Sequence, residues 1–414
     1  MNVLLSHPTG NTFVRALLTA LEQAGILEAF YTTVAVKPED WYVTSAPSGI
    51  RKELLRRTYA LSGPKVETSP WREVARLAAA RLGLSFLTAH ETGWASVDAV
   101  WNSLDHYVAQ QLPQRRASVV YCYEDAALHT FQAARQLGLK RVYDLPIAHW
   151  QTSQLLLREE AERWPEWEPT LMGTRDSVAK LERKSEELAL ADVVVCPSKF
   201  VFDTLPDMIR HTKHCIVAEF GSPTDAPPAP PMVKERHSPL RVLFAGSMSQ
   251  RKGLADLFAA VKLLDRKAIE LVVMGSLLQP IEFYRRQHSH FTYESTRPHH
   301  EVLQLMQSCD LLVLPSIVEG RALVQQEAMV CGLPLIVTPN AGGEDLIDPG
   351  ETGFLVPIRS PRAIAEKLAW FADNREQLAY MKIQARHKAL QVSWKQYQDK
   401  ILKAIITSEK KYAS

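Results

Sequence analysis

No apolar run in this chain approaches the ~20 residues that a membrane-spanning helix needs. Cysteine is sparse: Cys122, Cys196, Cys215, Cys309 and Cys331 are five in number, scattered, and form no CxxC pair. That pattern excludes a disulfide scaffold and a cysteine-rich zinc site, and it fits reduced thiols inside an intracellular protein. Neither sign of charge dominates, since the formal net charge is +2. A whole-chain field for nucleic acid is therefore absent, and no nucleic-acid partner is expected. Met1 leads straight into a strand-like VLLS, so no signal peptide is expected and a cytoplasmic location follows.

What is present is a globular chain of 414 residues with 46% hydrophobic content, long enough for two ordinary domains. The most informative stretch is LLVLPSIVEGRALVQQEAMVCGLPLIVTPNAGG, from Leu311 to Gly343. Leu311 to Leu314 is short and wholly apolar, as a buried parallel strand requires. Ala322 to Val330 reads as a helix closed by Gly332, and Leu333 to Val337 as a second buried strand. Ligands in strand–loop–helix units collect beyond the strand ends. Glu319 stands in that loop and Glu327 about two turns into the helix. The helix start offers unpaired N–H groups and the positive end of a dipole, which suits phosphate. Two ionised carboxylates on either side of it suit hydroxyl groups. A sugar nucleotide has that layout. An ordinary loop carboxylate and a solvent-facing helix carboxylate would show the same spacing.

PSIVEGRALVQQEAMVCGLPLIVTPNAGG resembles the donor-binding segment of retaining glycosyltransferases of family 4, the group 1 enzymes that include glycogen synthases and phosphatidylinositol mannosyltransferases. The resemblance runs from about Arg241 to Ala369 and more loosely beyond. It implies a GT-B fold: α/β, with two Rossmann-like domains facing across a cleft and a C-terminal helix crossing back to the first. It implies that Glu319 contacts the donor sugar and Glu327 the nucleotide ribose, with Gly320, Arg321, Ala322, Leu323 and Val324 forming the donor loop and helix start. In the family the loop after the first strand of the donor domain carries an Arg after its Gly and a Lys before the next. Here that loop is GSMSQRKGL. Gly246 and Lys252 match, whereas Ser247 replaces the Arg, and Arg251 is the compensating candidate for the diphosphate. Ala322 stands where the family prefers Gly.

The rest of the chain supplies weaker signals. Asn2 to Ser6 followed by HPTGNT is a β-loop-α start, and the resemblance puts Gly10 and Asn11 near the diphosphate; a plain turn uses a glycine as readily. Residues 50–84 are rich in Arg and Lys with interleaved Leu, Tyr and Trp, which fits an anionic membrane surface or an anionic acceptor. A solvated pair of basic helices has the same composition. KRVYDLPIAHW delivers Asp144 at a strand end and His149 five residues on, both expected at the cleft; an Asx turn and a satisfied structural histidine are the plain alternatives. LREEAERWPEW, Arg158 to Trp167, reads as an exposed helix and turn. His299-His300 lack a third ligand at metal spacing.

Proline-rich sequence between Ser222 and Pro239 marks a semi-rigid linker. The expected division is residues 1–221 as the acceptor domain, 222–239 as the linker, 240–390 as the donor domain, and 391–414 as the crossover helix and a mobile lysine-rich tail. The expected activity is transfer of a sugar from a nucleotide-diphosphate donor, a UDP-sugar by family frequency, to a glycan, lipid-linked or small-molecule acceptor hydroxyl, at the cytoplasmic face of a membrane if lipid-linked. No DxD stands at a convincing strand end, so no metal or other cofactor is expected. A non-catalytic sugar-nucleotide binder and a glycoside hydrolase are the other readings.

Overall fold

The computed structural model describes residues 1–61, 65–223, 238–264 and 269–407. Seven strands, β1 (Val3–Ser6), β2 (Leu27–Thr32), β3 (Val66–Thr68), β4 (Val119–Tyr123), β5 (Lys140–Asp144), β6 (Val193–Cys196) and β7 (His214–Val217), form one sheet in the order β3-β2-β1-β4-β5-β6-β7. Six more, β8 (Leu240–Ala245), β9 (Ile269–Met274), β10 (Thr292–Glu294), β11 (Leu311–Leu314), β12 (Leu335–Val337) and β13 (Gly353–Leu355), form a second in the order β10-β9-β8-β11-β12-β13. The pairings are parallel throughout.

Parallel sheets are covered by helices on both faces, so their strands carry apolar residues at odd and even positions alike. In β1, Val3 and Leu5 join a core with Leu17, Phe30 and Tyr121, while Leu4 faces the opposite core with Leu104, Phe131 and Val194. Each sheet with its helices is a Rossmann-like unit, and the two together are the GT-B architecture.

The chain crosses between the two units more than once. The last helix, Trp394–Thr407, returns to the first unit, where Tyr397, Ile401 and Ile405 enter the same core as Leu5 and Leu17. Gln398 donates to the Ala16 carbonyl at 2.8 Å, and Trp394 lies beside Phe220 as expected of the crossing. The second crossing corrects the sequence reading of Arg158 to Trp167 as exposed. Helix Trp150–Arg163 continues into a turn over Pro165–Thr170, and Trp167 is buried in the second unit's core against Phe258, Phe283 and Tyr284. The charge-rich pattern misled because Glu160 is itself fully buried among cations. Replacing Trp167 by alanine would cost about 3–5 kcal/mol.

The basic stretch is also more than a pair of solvated helices. Helices Ser48–Leu55 and Trp71–Leu82 flank β3, which forms the edge of the first sheet beside β2. Arg57 is buried, 2.6 Å from the almost fully buried Glu73, which Arg76 also contacts. Two guanidinium groups on one carboxylate are what make that buried charge tolerable. Most of the proline-rich linker, 224–237, and the terminal residues 408–414 lie outside the described residues. Among the described residues, no helix is long and apolar enough to cross a membrane.

Candidate functional site

β8 and β9 are neighbours in register, so the glycines that end them, Gly246 and Gly275, come side by side. A Cβ on Gly275 would lie 1.7 Å from the Gly246 carbonyl oxygen, which only glycine avoids. The bare backbone forms a floor over which Lys252 folds back, its Nζ 3.8 Å from where a Gly246 Cβ would stand. Lys252 ends a short turn, Gln250–Lys252, and pairs with Glu319 from the loop after β11.

Glu319 gathers two cations on one oxygen. Arg251 donates to Oε2 at 3.1 Å and to the Val318 carbonyl at 2.9 Å, and Lys252 contacts the same Oε2. Among the described residues, Oε1 has no partner. Burial pushes this carboxyl upward, but Arg251 and Lys252 outweigh it and hold the pKa down to about 2. Glu319 is thus an anion at any ordinary pH, with one oxygen free to accept a hydroxyl.

A cavity of about 990 Å³ opens from this floor between the two units. Gly246, Ser247, Lys252, Gly275 and Ser276 line one side, and Ala322, Leu323, Val324 and Glu327 another. Ala322 caps helix Leu323–Val330 without a side-chain bond, leaving its first N–H groups to the cavity. Glu327 Oε1 is 3.2 Å from His299 Nε2. Lys52 and Arg56 line the cavity from the first unit, and Arg297 from the loop after β10. Lys52, Arg56, Lys252 and Arg297 line the cavity with one carboxylate, Glu327; Lys252 and Arg297 are paired with Glu319 and Glu294 outside the lining, and Lys52 and Arg56 leave a cationic excess suited to an anion.

The sequence-derived candidates divide accordingly. Gly246, Lys252, Ala322, Leu323, Val324 and Glu327 meet on the cavity. Gly10 and Asn11 line an adjoining cavity of about 780 Å³ that shares Arg56 and Leu323 with the first. Their turn is set by buried His7, whose Nδ1 accepts the N–H of Thr9 at 3.0 Å and of Gly10 at 2.9 Å. Burial drives the His7 pKa down to about 3, which keeps that nitrogen an acceptor. Arg251 faces Glu319, and neither is part of the cavity wall, which Glu319 touches only through Lys252. Arg321 is turned inward, with Nη1 2.6 Å from Asp345 and 3.0 Å from the Gly342 carbonyl. Gly320 sits where the units touch: a Cβ there would lie 1.8 Å from the Pro146 carbonyl oxygen.

Asp144 and His149 flank that contact but line neither cavity. Asp144 is buried, its carboxyl 2.5 Å from the Tyr121 hydroxyl, and burial raises its pKa to about 7. His149 precedes helix Trp150–Arg163, and its N–H donates to Thr204 at 2.9 Å. Its Nδ1 is buried without a partner among the described residues, and burial with nearby Lys184 lowers its pKa to about 4. His299 of the histidine pair belongs to the cavity, beside Glu327. Arg297 and Thr296 escaped the sequence reading; Lys52 and Arg56 fell within the basic stretch read as fitting a membrane surface or an anionic acceptor, not the donor.

The fold and the cleft together define a GT-B protein with an interdomain cavity lined by cationic side chains. Residues 230–388 match the family model for glycosyl transferases group 1. A 209-residue segment is 29% identical to a D-inositol 3-phosphate glycosyltransferase of Corynebacterium glutamicum, over 47% of this chain and 50% of that protein. A 136-residue segment is 31% identical to an uncharacterized glycosyltransferase of Methanocaldococcus jannaschii, over 32% of this chain and 38% of that protein. The chain thus spans half or less of these curated relatives. Among solved structures, Anabaena HepE in complex with UDP is similar at a TM-score of 0.62 and 15% identity, over 98% of this chain and 100% of that one. Sucrose-phosphate synthase from Thermosynechococcus elongatus is similar at a TM-score of 0.66 and 17% identity, over 100% of both. At such identities the likeness is one of fold.

Proposed function

We propose that the protein is a retaining glycosyltransferase that moves a sugar from a nucleotide-diphosphate donor to an acceptor hydroxyl in glycan or glycolipid synthesis. The observation that carries this reading is the convergence on one cavity of Lys252, the open start of helix Leu323–Val330, and Glu327. The ammonium and the helix N–H groups suit the diphosphate, and Glu327 suits the ribose hydroxyls. Glu319, beside Lys252, offers its free Oε1 to a sugar hydroxyl. The family match of residues 230–388 and the Anabaena complexes with UDP and UDP-glucose support a nucleotide-sugar donor, with UDP the first base to try.

As the sugar–oxygen bond breaks, negative charge grows on the leaving phosphate. Lys252 and the helix start stabilise that charge more than they stabilise the bound donor, which is the condition for catalysis. These fixed positive groups take the part that a divalent metal plays elsewhere, so the reaction proceeds without one. The test is a panel of nucleotide sugars screened by thermal shift, followed by NMR of the product formed with an acceptor panel. Donor binding, acceptor-dependent release of nucleotide diphosphate and a product with the donor's anomeric configuration are expected. An inverted product would remove the retaining mechanism, and a panel with no stabilising donor would remove the function.

A further inference from the structure

The turn after β8 places one cation on the cavity wall, Lys252, which also contacts Glu319; Arg251 pairs with the same carboxylate and with the Val318 carbonyl and does not line the cavity. The wall opposite belongs to the first unit and carries Lys52 and Arg56. These two stand four residues apart at the end of helix Ser48–Leu55, on one face. Glu53 lies between them but is committed to Arg57 at 2.5 Å, while Arg56 reaches its other oxygen only at 3.4 Å with 76% of the Arg56 side chain exposed. Lys52 forms no ion pair among the described residues. Two like charges on one helix face repel unless an anion comes between them. Arg56 also lines the adjoining cavity with Gly10 and Asn11, so it stands where the two cavities meet.

We propose that Lys52 and Arg56 form the second half of the diphosphate site, gripping the ligand's phosphates from the first unit while Lys252 and the start of helix Leu323–Val330 grip them from the second. The inference rests on the nucleotide-sugar reading above and names the residues that make the donor a bridge between the units. A nucleoside without phosphates does not engage these cations, so they discriminate by ligand charge rather than by base. Their reach across the cleft also makes diphosphate affinity depend on the units being closed together.

Binding of UDP, GDP and ADP, and of uridine, guanosine and adenosine, is measured by calorimetry on the full chain and on a Lys52→Gln/Arg56→Gln double variant. For the diphosphate that the unaltered protein binds tightest, the double variant is expected to bind about tenfold more weakly at low salt, two exposed cation–phosphate contacts together being worth roughly that factor. The matching nucleoside should bind both proteins equally, and the gap in diphosphate affinity should shrink at 1 M salt. A Lys52→Arg/Arg56→Lys variant should restore most of the loss. Unchanged diphosphate affinity in the Gln variant overturns the proposal. A lowered melting temperature of the free protein with unchanged affinity does the same, and assigns the pair to the C-terminal end of their own helix. If the unaltered protein binds none of the three diphosphates, the nucleotide-sugar reading falls, and this proposal with it.

Discussion

The Gln250 side-chain amide donates at 2.6 Å to the carboxylate of Glu160, ninety residues earlier in the chain and in the other crossing of the molecule. The same amide nitrogen donates to Asp256 at 2.7 Å, and the Gln250 oxygen accepts the Ala255 N–H at 2.9 Å. Thr170 accepts the Gln250 N–H at 3.1 Å. Arg163 and Arg359 close the network on Asp256 and Glu160. The turn that carries Lys252 is thereby held by a segment sent over from the first unit. Removing Glu160 takes one of two acceptors from Gln250 and the buried partner from Arg359, which keeps the half-exposed Glu159, a loss of about 1–3 kcal/mol. Glu160→Ala should lower the denaturant midpoint, and the surviving folded protein should bind nucleotide diphosphate more weakly, because the Lys252 turn is held less firmly.

Lys252→Ala tests the chemistry itself. Loss of one aimed donor of this kind costs roughly 3 kcal/mol, or 10²–10³ in turnover. Arg251 remains on Glu319 in the variant, so the carboxylate keeps a partner and the fold should persist. Turnover should fall by about that factor with the melting temperature nearly unchanged. Equal turnover in the variant would remove Lys252 from the mechanism.

Gly320 sets the seam between the units. A methyl there meets the Pro146 carbonyl oxygen at 1.8 Å, and backbone cannot yield as a side chain can. Gly320→Ala should part the two units at this point and separate Glu319 from the first unit. Small-angle scattering should show a larger radius of gyration, and donor turnover should drop even though no catalytic group has changed. An unaltered radius with full turnover would show that the seam tolerates the methyl.

Asp144 gives a stability signature in pH. Burial raises its folded pKa to about 7 against an ordinary value of 3.8, with the Tyr121 hydroxyl opposing the shift. The folded form thus binds the extra proton between those two values. Its contribution to stability is whole below pH 4 and is lost as pH climbs toward 7. Asp144→Asn keeps an oxygen for Tyr121 but never ionises. Relative to the parent, the variant should melt higher at pH 8, by roughly a few degrees, and nearly alike at pH 4. Equal differences at both pH values would show that Asp144 does not titrate in this window.

Strands such as β1, β11 and β12 were legible in the linear chain because a strand covered on both faces is apolar at nearly every position, whereas β2 and β3, with polar residues among them, were not read. Glu319, Glu327, Gly246 and Lys252 were legible through the resemblance of their loops and helix to a known family; spacing alone left an ordinary loop carboxylate and helix carboxylate open. Arg251 was read as a phosphate ligand and Arg321 as a donor contact, yet each is claimed by a carboxylate distant in sequence or beyond the next loop, Glu319 and Asp345 respectively. Spacing cannot say that a distant carboxylate will gather Arg251 as well as Lys252.

Trp167 and Glu160 looked exposed in sequence because their burial depends on the second unit, whose residues begin some seventy positions later. Lys52 and Arg56 fitted an anionic membrane, an anionic acceptor or plain surface charge, and the sequence did not choose among them. Their value comes from the cavity wall opposite, which nothing nearby in the chain encodes. Where element identity is a local balance of periodicity and burial, as in β1, β11 and β12, the sequence alone determined it. Which charges the two units bring together, Arg163 with Asp256 and Glu160 with Arg359 among them, depends on how the units pack, and only the folded arrangement of both decided that.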